Sequence, residues 1–406
     1  MRKGVIYSIA LLSIFSCKPK MTENPLLIAS ANPYEAPAFD KIKTEHYKPA
    51  FEAAIKEGRA QIDSIVNNQE SPNFQNTIEA LEFAGRKLTN IGSIFFNLNE
   101  ACTDSLMQSV ALEISPVLSE YSNDILLNDK LFARIKSVYE AKSTLNLNPE
   151  QQRLLELTYK HFVRNGANLP VEAKSRLKEI DIELSKLSLV FGQNVLAATN
   201  KFYLHLTDST LLAGLPQFVR DMGSAEAKER KLDGWVYTLQ APSYIPFMQY
   251  SENRELKEKM WKAYNSKCLN DESDNQENIK KIVALRLEKA KLLGFKTYAD
   301  YVLEDNMAKS SENVNKFLDE LLTKSLPYAK KEVAQIQAYA NKLGFKGNLM
   351  PWDFNYYSEK YKSEKYAFNN EVLKPYFKLE NVQQAVFALA DSLYGLKFTE
   401  KSDIPV

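Results

Sequence analysis

The sequence predicts an all-α protein with at most a short β-hairpin. Glycine contributes 13 of the 406 residues and proline 16, so residues that interrupt helices are scarce. Long segments repeat apolar residues at steps of three and four, the period that gathers them on one face of a helix. Only the segments 201–208 and 234–240 alternate apolar and polar residues as strands do, and we predict that they pair.

Apolar periodicity and capping residues place the helices in order along the chain. Helical spacing runs through 51–66, 78–98, 106–121, 149–164, 171–198, 256–264, 279–283 and 314–343. Asn76 with Glu79 predicts a capping box for the second segment, and Asn148 before Pro149 predicts the start of the fourth. Left-handed caps are predicted to end helices at Gly166, Gly294, Gly344 and Gly395.

The composition gives no reason to expect a partner recognised by charge. Lys and Arg number 52 against 51 Asp and Glu, which leaves a formal net charge of +1. A nucleic-acid surface needs clustered positive charge to neutralise phosphates, so we expect no nucleic-acid partner. We interpret alternating charged runs such as 254–262 as solvated helix faces. The 45% hydrophobic content is enough for the cores of two or three domains.

Residues 1–16 resemble the signal peptide of a bacterial lipoprotein. Arg2 and Lys3 precede an apolar stretch that ends at Phe15 and is too short to span a bilayer. The letters IFSC at 14–17 resemble a lipobox with Cys17 as the lipid acceptor, although Phe15 stands where a small residue is usual. The alternative is an ordinary signal with an incidental cysteine.

A lipidated Cys17 predicts a protein anchored in the bacterial cell envelope and facing the periplasm, because several acyl chains hold a protein stably on a membrane. Without the lipid, the protein would be secreted to the periplasm. The polar, proline-bearing residues 17–44 are predicted to form a tether. Cys102 and Cys268 form no C-x-x-C pair, so a cysteine metal site is not expected. The sequence leaves two alternatives for these cysteines, a single disulfide or two unpaired buried thiols.

The histidines exclude the commonest zinc-peptidase motif from this sequence. Of His46, His161 and His205, none is followed by glutamate and no two lie four residues apart, so H-E-x-x-H is absent. We predict that His161 is a packed or half-exposed helix residue and that His205 faces solvent on a strand. Nucleophile elbows, Walker loops and dinucleotide fingerprints are also absent from the sequence. We therefore predict no catalytic and no metal-binding residue in this chain.

Five blocks carry a family resemblance, and they follow one another in order. They are HFVRNGANLP with the helix after it (161–200), LAGLP (212–216), DGWVYTLQAPSYIPFMQYSENRELKEKMWKAY (233–264), LEKAKLLGFKTYADY (287–301) and PWDFNYYSEKY (351–361). Together they resemble the thimet oligopeptidase, oligopeptidase A and peptidyl-dipeptidase Dcp family of zinc metallopeptidases. The resemblance covers roughly residues 40–406 and weakens before about residue 150.

The resemblance implies an almost wholly helical ellipsoid with a deep channel between two domains. It assigns 45–250 to an N-terminal helical domain and 251–406 to the first part of the catalytic domain, which is incomplete at its C-terminal end. The implied activity is zinc-dependent hydrolysis of short unstructured peptides, as an oligopeptidase or a peptidyl-dipeptidase. In the family, two histidines of H-E-x-x-H and a later glutamate hold the zinc, and we expect these to lie beyond this chain. The chain alone is therefore expected to be inactive, and the complete protein to be a monomer.

The resemblance also supplies the only candidate residues for a substrate cleft. They are Trp352, Asp353, Tyr356 and Tyr357 of the last block, since aromatic faces with polar tips suit the binding of an extended peptide. Plain packing of this aromatic cluster is the favoured alternative.

A second functional hypothesis is a non-catalytic helical envelope lipoprotein that binds peptides or acts as a scaffold. The two hypotheses differ in one physical expectation. A chain that is part of a larger peptidase should expose apolar surface where the rest of the protein would pack, whereas a stand-alone lipoprotein should be a stable monomer.

Overall fold

The computed structural model describes residues 24–367 and 370–405, and it confirms the all-α prediction. The predicted signal peptide and Cys17 lie outside the described residues. Within those residues the α-helices are α1 Thr44–Val66, α2 Ala80–Phe83, α3 Arg86–Ala101, α4 Ser105–Leu126, α5 Asp129–Glu140, α6 Pro149–Arg164, α7 Val171–Lys201, α8 Gln217–Glu229, α9 Ala241–Tyr250, α10 Arg254–Asn265, α11 Gln276–Leu292, α12 Tyr298–Leu303, α13 Ser311–Lys342, α14 Pro351–Tyr366 and α15 Leu379–Tyr394. Shorter turns are the 3₁₀ segments Pro33–Glu35, Ser209–Leu212 and Asn370–Tyr376 and the π-helical turn Phe74–Glu79.

The two predicted strands pair as expected. They are β1 Tyr203–Leu206 and β2 Trp235–Thr238, and they run antiparallel with Leu204 opposite Tyr237. Their connection contains the turn 209–212 and α8, so it is much longer than a tight hairpin turn. Leu204 and Leu206 are buried while Tyr203 and His205 are exposed, which confirms the alternation read from the sequence.

The second predicted helix is broken, and its predicted capping box is wrong. Asn76 pairs with Asn73 and not with Glu79: each Asn Oδ1 accepts from the other residue's backbone N–H, at 2.8 and 2.9 Å. The chain then breaks at Gly85, whose φ of +77° is left-handed, and α3 begins at the next residue. The Gly85 N–H donates to Gln61 Oε1 of α1 at 2.7 Å, so a contact distant in sequence stabilises this break.

The other predicted caps are confirmed. Asn148 Oδ1 accepts from the Gln151 N–H at 2.8 Å at the start of α6. Gly166, Gly294, Gly344 and Gly395 all have positive φ at or just after helix ends. At Gly294 and Gly344 the following phenylalanine N–H bonds back to the helix carbonyl of Ala290 or Ala340, at 2.9 and 3.0 Å, which satisfies carbonyl groups left free at a helix end.

In the described part of the chain, three apolar clusters hold helices together. The first joins α1, α3 and α4, where Phe51 and Phe95 meet edge to face with ring centroids 5.5 Å apart. The second joins α5 and α6 to the π-helical turn. The third surrounds the two strands and combines α8, α9 and α10 with Trp352 of α14. Helix α7 packs along both α4 and α11, and the bidentate Arg176–Glu288 pair, at 2.6 and 2.9 Å, spans α7 and α11.

Part of the predicted tether packs against this body. Leu26 is buried in the first cluster, and the Asn24 side chain donates to the His46 carbonyl oxygen at 2.8 Å. Both cysteines among the described residues are free thiols, with Cys102 exposed and Cys268 buried. Within 24–367 and 370–405, no helix is long and apolar enough to cross a membrane.

Two helices near the C-terminal end have little packing of their own. Every residue of α13 from 315 to 335 is exposed, and within that helix only Ile336 and Ala340 are buried. Helix α15 has no buried residue. An isolated helix is marginal in water, and helices in proteins are usually stabilised by burying an apolar face. Among the described residues, α15 and the 315–335 part of α13 therefore bury little of the apolar surface that stabilises the other helices.

Candidate functional site

The PWDFNYY block forms the first two turns of α14. Pro351 occupies the first helical position, where its missing N–H costs nothing. Asp353 Oδ2 accepts from the Met350 N–H at 3.0 Å and so closes the start of the helix. Of the four candidate residues, Trp352, Asp353 and Tyr356 are buried and Tyr357 is half-buried. The structure thus brings the four candidates together, but it turns three of them inward.

Asp353 is engaged on both carboxylate oxygens. It is 1% exposed and accepts two hydrogen bonds from Arg254 of α10, Nε to Oδ1 and Nη2 to Oδ2, both at 2.9 Å. This fork-to-fork pair is the strong form of a charge-assisted hydrogen bond, and it raises the pKa of Arg254. A carboxylate held in this way is poorly suited to act as a general base or a metal ligand. Its evident role is to fix α14 on α10.

A buried lysine lies beside this pair. Lys257 is 2% exposed, and its Nζ lies 3.7 Å from the ring centroid of Tyr356. Burial, together with the charges of Arg254 and Lys360, lowers the pKa of Lys257 to about 8, although Asp353 partly opposes the shift. Lys360 lies on the same aromatic ring, with Nζ 4.8 Å from the Tyr356 centroid.

The alternating charges of 254–262 predicted a solvated helix face that includes Lys257, and the burial of this residue shows that the prediction is wrong. A signal was available, because Lys257 stands three residues before the buried Met260 and therefore shares its helix face. The partnership of Arg254 with Asp353 carried no such signal, since these residues are 99 positions apart.

The aromatic residues of the block pack on one another and on α10. Trp352 lies against Trp261, with ring centroids 5.5 Å apart, and Tyr356 meets Tyr357 at 5.0 Å. Tyr357 also contacts Phe345 at 5.4 Å, and burial raises the pKa of the Tyr357 hydroxyl. The indole Nε1 of Trp352 is buried and has no hydrogen-bond partner among the residues that the structure describes. This geometry matches the packing interpretation better than an open peptide cleft.

The histidines are dispersed over three elements. His46 Nδ1 accepts from the Lys43 N–H at 3.1 Å at the start of α1, and His205 Nε2 lies 2.6 Å from the Asp233 carbonyl oxygen beside the sheet. His161 is exposed on α6, where desolvation of its ring and then the charge of Arg164 lower its pKa. Among the described residues no three His, Cys, Asp or Glu side chains are grouped so that they could hold a metal ion.

A cavity bounded by three helices of the front half has the size of a ligand pocket. It encloses about 550 Å³ between α2, α4 and α6, with Leu126, Leu154 and Phe162 among its lining residues. At its rim Arg164 donates to the Tyr301 carbonyl oxygen at 2.7 Å and also pairs with Glu304. Lys160, also at this rim, pairs with Asp305, so both basic groups there already have carboxylate partners.

Comparisons with known proteins relate the chain to peptidases. Residues 247–406 match the family model described as Peptidase family M3. The chain is 37% identical over 388 residues to the dipeptidyl carboxypeptidase of Escherichia coli K12, covering 95% of this chain and 57% of that relative. It is 32% identical over 388 residues to oligopeptidase A of the same organism, covering 94% of this chain and 56% of that relative. The thimet-like oligopeptidase of Dictyostelium discoideum is 29% identical over 369 residues, with 88% and 54% covered. The chain thus spans little more than half the length of these relatives.

Proposed function

The chain belongs to peptidase family M3, and from this we propose that it is the front portion of a zinc-dependent metallopeptidase that hydrolyses short unstructured peptides. The observation that carries the proposal is the match of nearly the whole chain, 95% and 94% of it, to relatives named dipeptidyl carboxypeptidase and oligopeptidase A. Both names describe peptidases, and they differ in whether dipeptides are released. The proposal therefore includes oligopeptidase and peptidyl-dipeptidase activity alike.

The zinc ligands are proposed to lie in polypeptide that follows Val406. The sequence holds no H-E-x-x-H. The three histidines occupy α1, α6 and β1, and each has a ring nitrogen within 3.3 Å of a backbone or side-chain polar atom. These residues do not fit a zinc ion, which in a catalytic site takes three convergent protein ligands and one open position. The catalytic residues are therefore proposed to lie outside this chain. Its proposed contribution is structural, as the frame that supports the catalytic part.

The block around Asp353 supports this role. The Arg254–Asp353 pair and the Trp261–Trp352 contact fix α14 on α10, within the region that matches the family model. Helix α13 packs against α14, so its direction depends on that attachment. Apolar side chains are exposed on α13 and α15. This supports the hypothesis of a larger protein, which predicts exposed apolar surface where the remaining polypeptide would pack.

An envelope location is part of the proposal. It rests on the lipobox-like letters at 14–17 alone, with Cys17 as the lipid acceptor and the complete protein as a periplasm-facing monomer. The test is fractionation of cells that express the chain or its Cys17→Ser variant, with mass spectrometry of the mature N-terminus. Membrane association and an acylated cysteine in the chain but not in the variant are expected. An unmodified, soluble mature chain would remove the anchor from the proposal.

The activity is tested on two purified proteins. One is the chain itself and the other is the longer product read from the same frame of the source gene. We expect the longer product to contain zinc, to cleave an unstructured peptide and to lose that cleavage to a chelator, while the chain alone shows neither zinc nor cleavage. Mass spectrometry of the fragments then separates dipeptide release from internal cleavage. Chelator-sensitive cleavage by the chain alone would contradict the proposal.

A further inference from the structure

Helix α15 presents an aliphatic stripe without a partner among the described residues. Four residues spaced by four, three and four lie within one narrow face of this helix: Val382, Val386, Leu389 and Leu393. They are 39–63% exposed. Phe387, on the flank of the same helix, does have a partner: its ring stacks on Phe398, with ring centroids 4.3 Å apart. The stripe has the periodicity of helices that pack lengthwise on other helices.

Helix α13 carries a second stripe of the same kind. Phe317, Leu318, Leu321 and Leu322 project from neighbouring positions on one side and are 49–61% exposed. The opposite side of this helix carries Lys316 and Thr323, which are exposed and polar. Single exposed apolar residues are common, whereas contiguous rows on two helices indicate a surface that another element covers.

We propose that these two stripes are the docking surface for a helical part of the polypeptide that follows Val406, an inference that rests on the proposed function. The match to the Escherichia coli dipeptidyl carboxypeptidase covers 57% of that relative, so more than four-tenths of its length has no counterpart in this chain. A partner of that size is sufficient to cover both helices. Its chemistry is set by the stripes themselves: an apolar helix face that excludes water along their length.

The charge of α15 argues against a membrane as the occupant. A helix that lies on an anionic membrane surface carries Lys and Arg on its polar face. Helix α15 contains neither, and its charged residues are Glu380 and Asp391. It therefore lacks the cationic face with which such helices bind anionic headgroups. In addition, no charged residue interrupts the stripe, and an uncharged apolar surface is suited to burial against protein.

The experiment co-expresses the tagged chain with the separate, untagged polypeptide encoded in the same reading frame after the Val406 codon. Co-purification reports docking, and cleavage of an unstructured peptide reports the proposed function. The test variant is Val386→Glu with Leu389→Glu, and the control is Asn381→Glu with Gln384→Glu on the other faces of α15. All four positions are exposed in the chain, so its own unfolding curve should not change.

We expect co-purification with the chain and with the control, and a loss of about tenfold or more with the stripe variant, because docking would bury two charges without partners. The same contrast is expected on α13 between Leu318→Glu with Leu322→Glu and the control Thr323→Glu.

The outcomes separate the inference from the proposed function. Equal capture by the stripe variants, with peptide cleavage intact, would overturn the docking surface and leave the function standing. Capture that is lost only with the stripe variants, without any cleavage, would support docking and remove the peptidase. If no reading frame follows, or if light scattering shows a dimer of the chain that the stripe variants dissociate, the occupant is a second copy and the inference is wrong.

Discussion

Replacing the buried ammonium group of Lys257 by an apolar side chain should stabilise the protein. Lys257→Met keeps an unbranched stem of similar length, so the packing of the aliphatic part against its neighbours is retained. The substitution removes a positive charge that is buried in the folded protein. Among the described residues, no carboxylate forms an ion pair with this charge. Asp353, whose charge favours the protonated form of Lys257, is already paired with Arg254.

The magnitude follows from the lowered pKa of Lys257, from 10.5 to about 8. Each pKa unit corresponds to about 1.4 kcal/mol, so the charged form is disfavoured by roughly 3 kcal/mol in the folded state. The Tyr356 ring 3.7 Å from Nζ returns up to about 2 kcal/mol, which Met would lose. We therefore expect Lys257→Met to raise the free energy of unfolding by about 1–3 kcal/mol at pH 7.

The pH dependence gives the sharper test. Because the folded-state pKa is lowered, the unfolded chain binds more protons between pH 8 and 10.5, and this group makes stability rise across that window. Above it, Lys257 is neutral in both states, so the advantage of Met should shrink toward zero.

Urea unfolding followed by tryptophan fluorescence is the assay, since all three tryptophans belong to the third apolar cluster. Lys259→Met, an exposed lysine on the same helix, is the control and should change stability by less than about 0.5 kcal/mol at any pH. A loss of stability with Lys257→Met that is equal at pH 7 and pH 10 would refute the reasoning.

Three further predictions concern other contacts. Asp353→Asn and Arg254→Met should each lower the free energy of unfolding by about 1–3 kcal/mol. This is less than for a fully buried ion pair, because the Arg254 side chain is 45% exposed. Strictly additive losses in the double variant would show that the two side chains do not interact. Asn148→Ala should cost about 1 kcal/mol by removing the cap of α6, while an unchanged urea midpoint would show that water replaces it. In the folded chain Cys102 should react with a thiol reagent at once and Cys268 only on unfolding, because burial protects Cys268 and raises the pKa of its thiol; equally fast labelling of both would contradict the burial.

Local chemistry in the sequence determined much of the fold. The paired Asn148 and Pro149, the glycines at helix ends and the alternation around His205 each act through neighbours a few residues away, so their effects could be predicted without knowing the rest of the structure. The ordered blocks likewise identified the family, which the comparisons confirm.

The tertiary structure decided what depends on distant partners. Gln61 stabilises the break at Gly85, and Arg254 reaches Asp353 across 99 residues, contacts that no local pattern encodes. The burial of Lys257 depended on where α14 would pack, because a helix face is solvated or buried only in relation to its neighbours. For the same reason the apolar spacing of α13 and the glycine cap after α15 predicted helices, but they did not predict that the apolar stripes would be exposed. An amphipathic pattern specifies a face to be covered, and only the assembled structure shows what covers it.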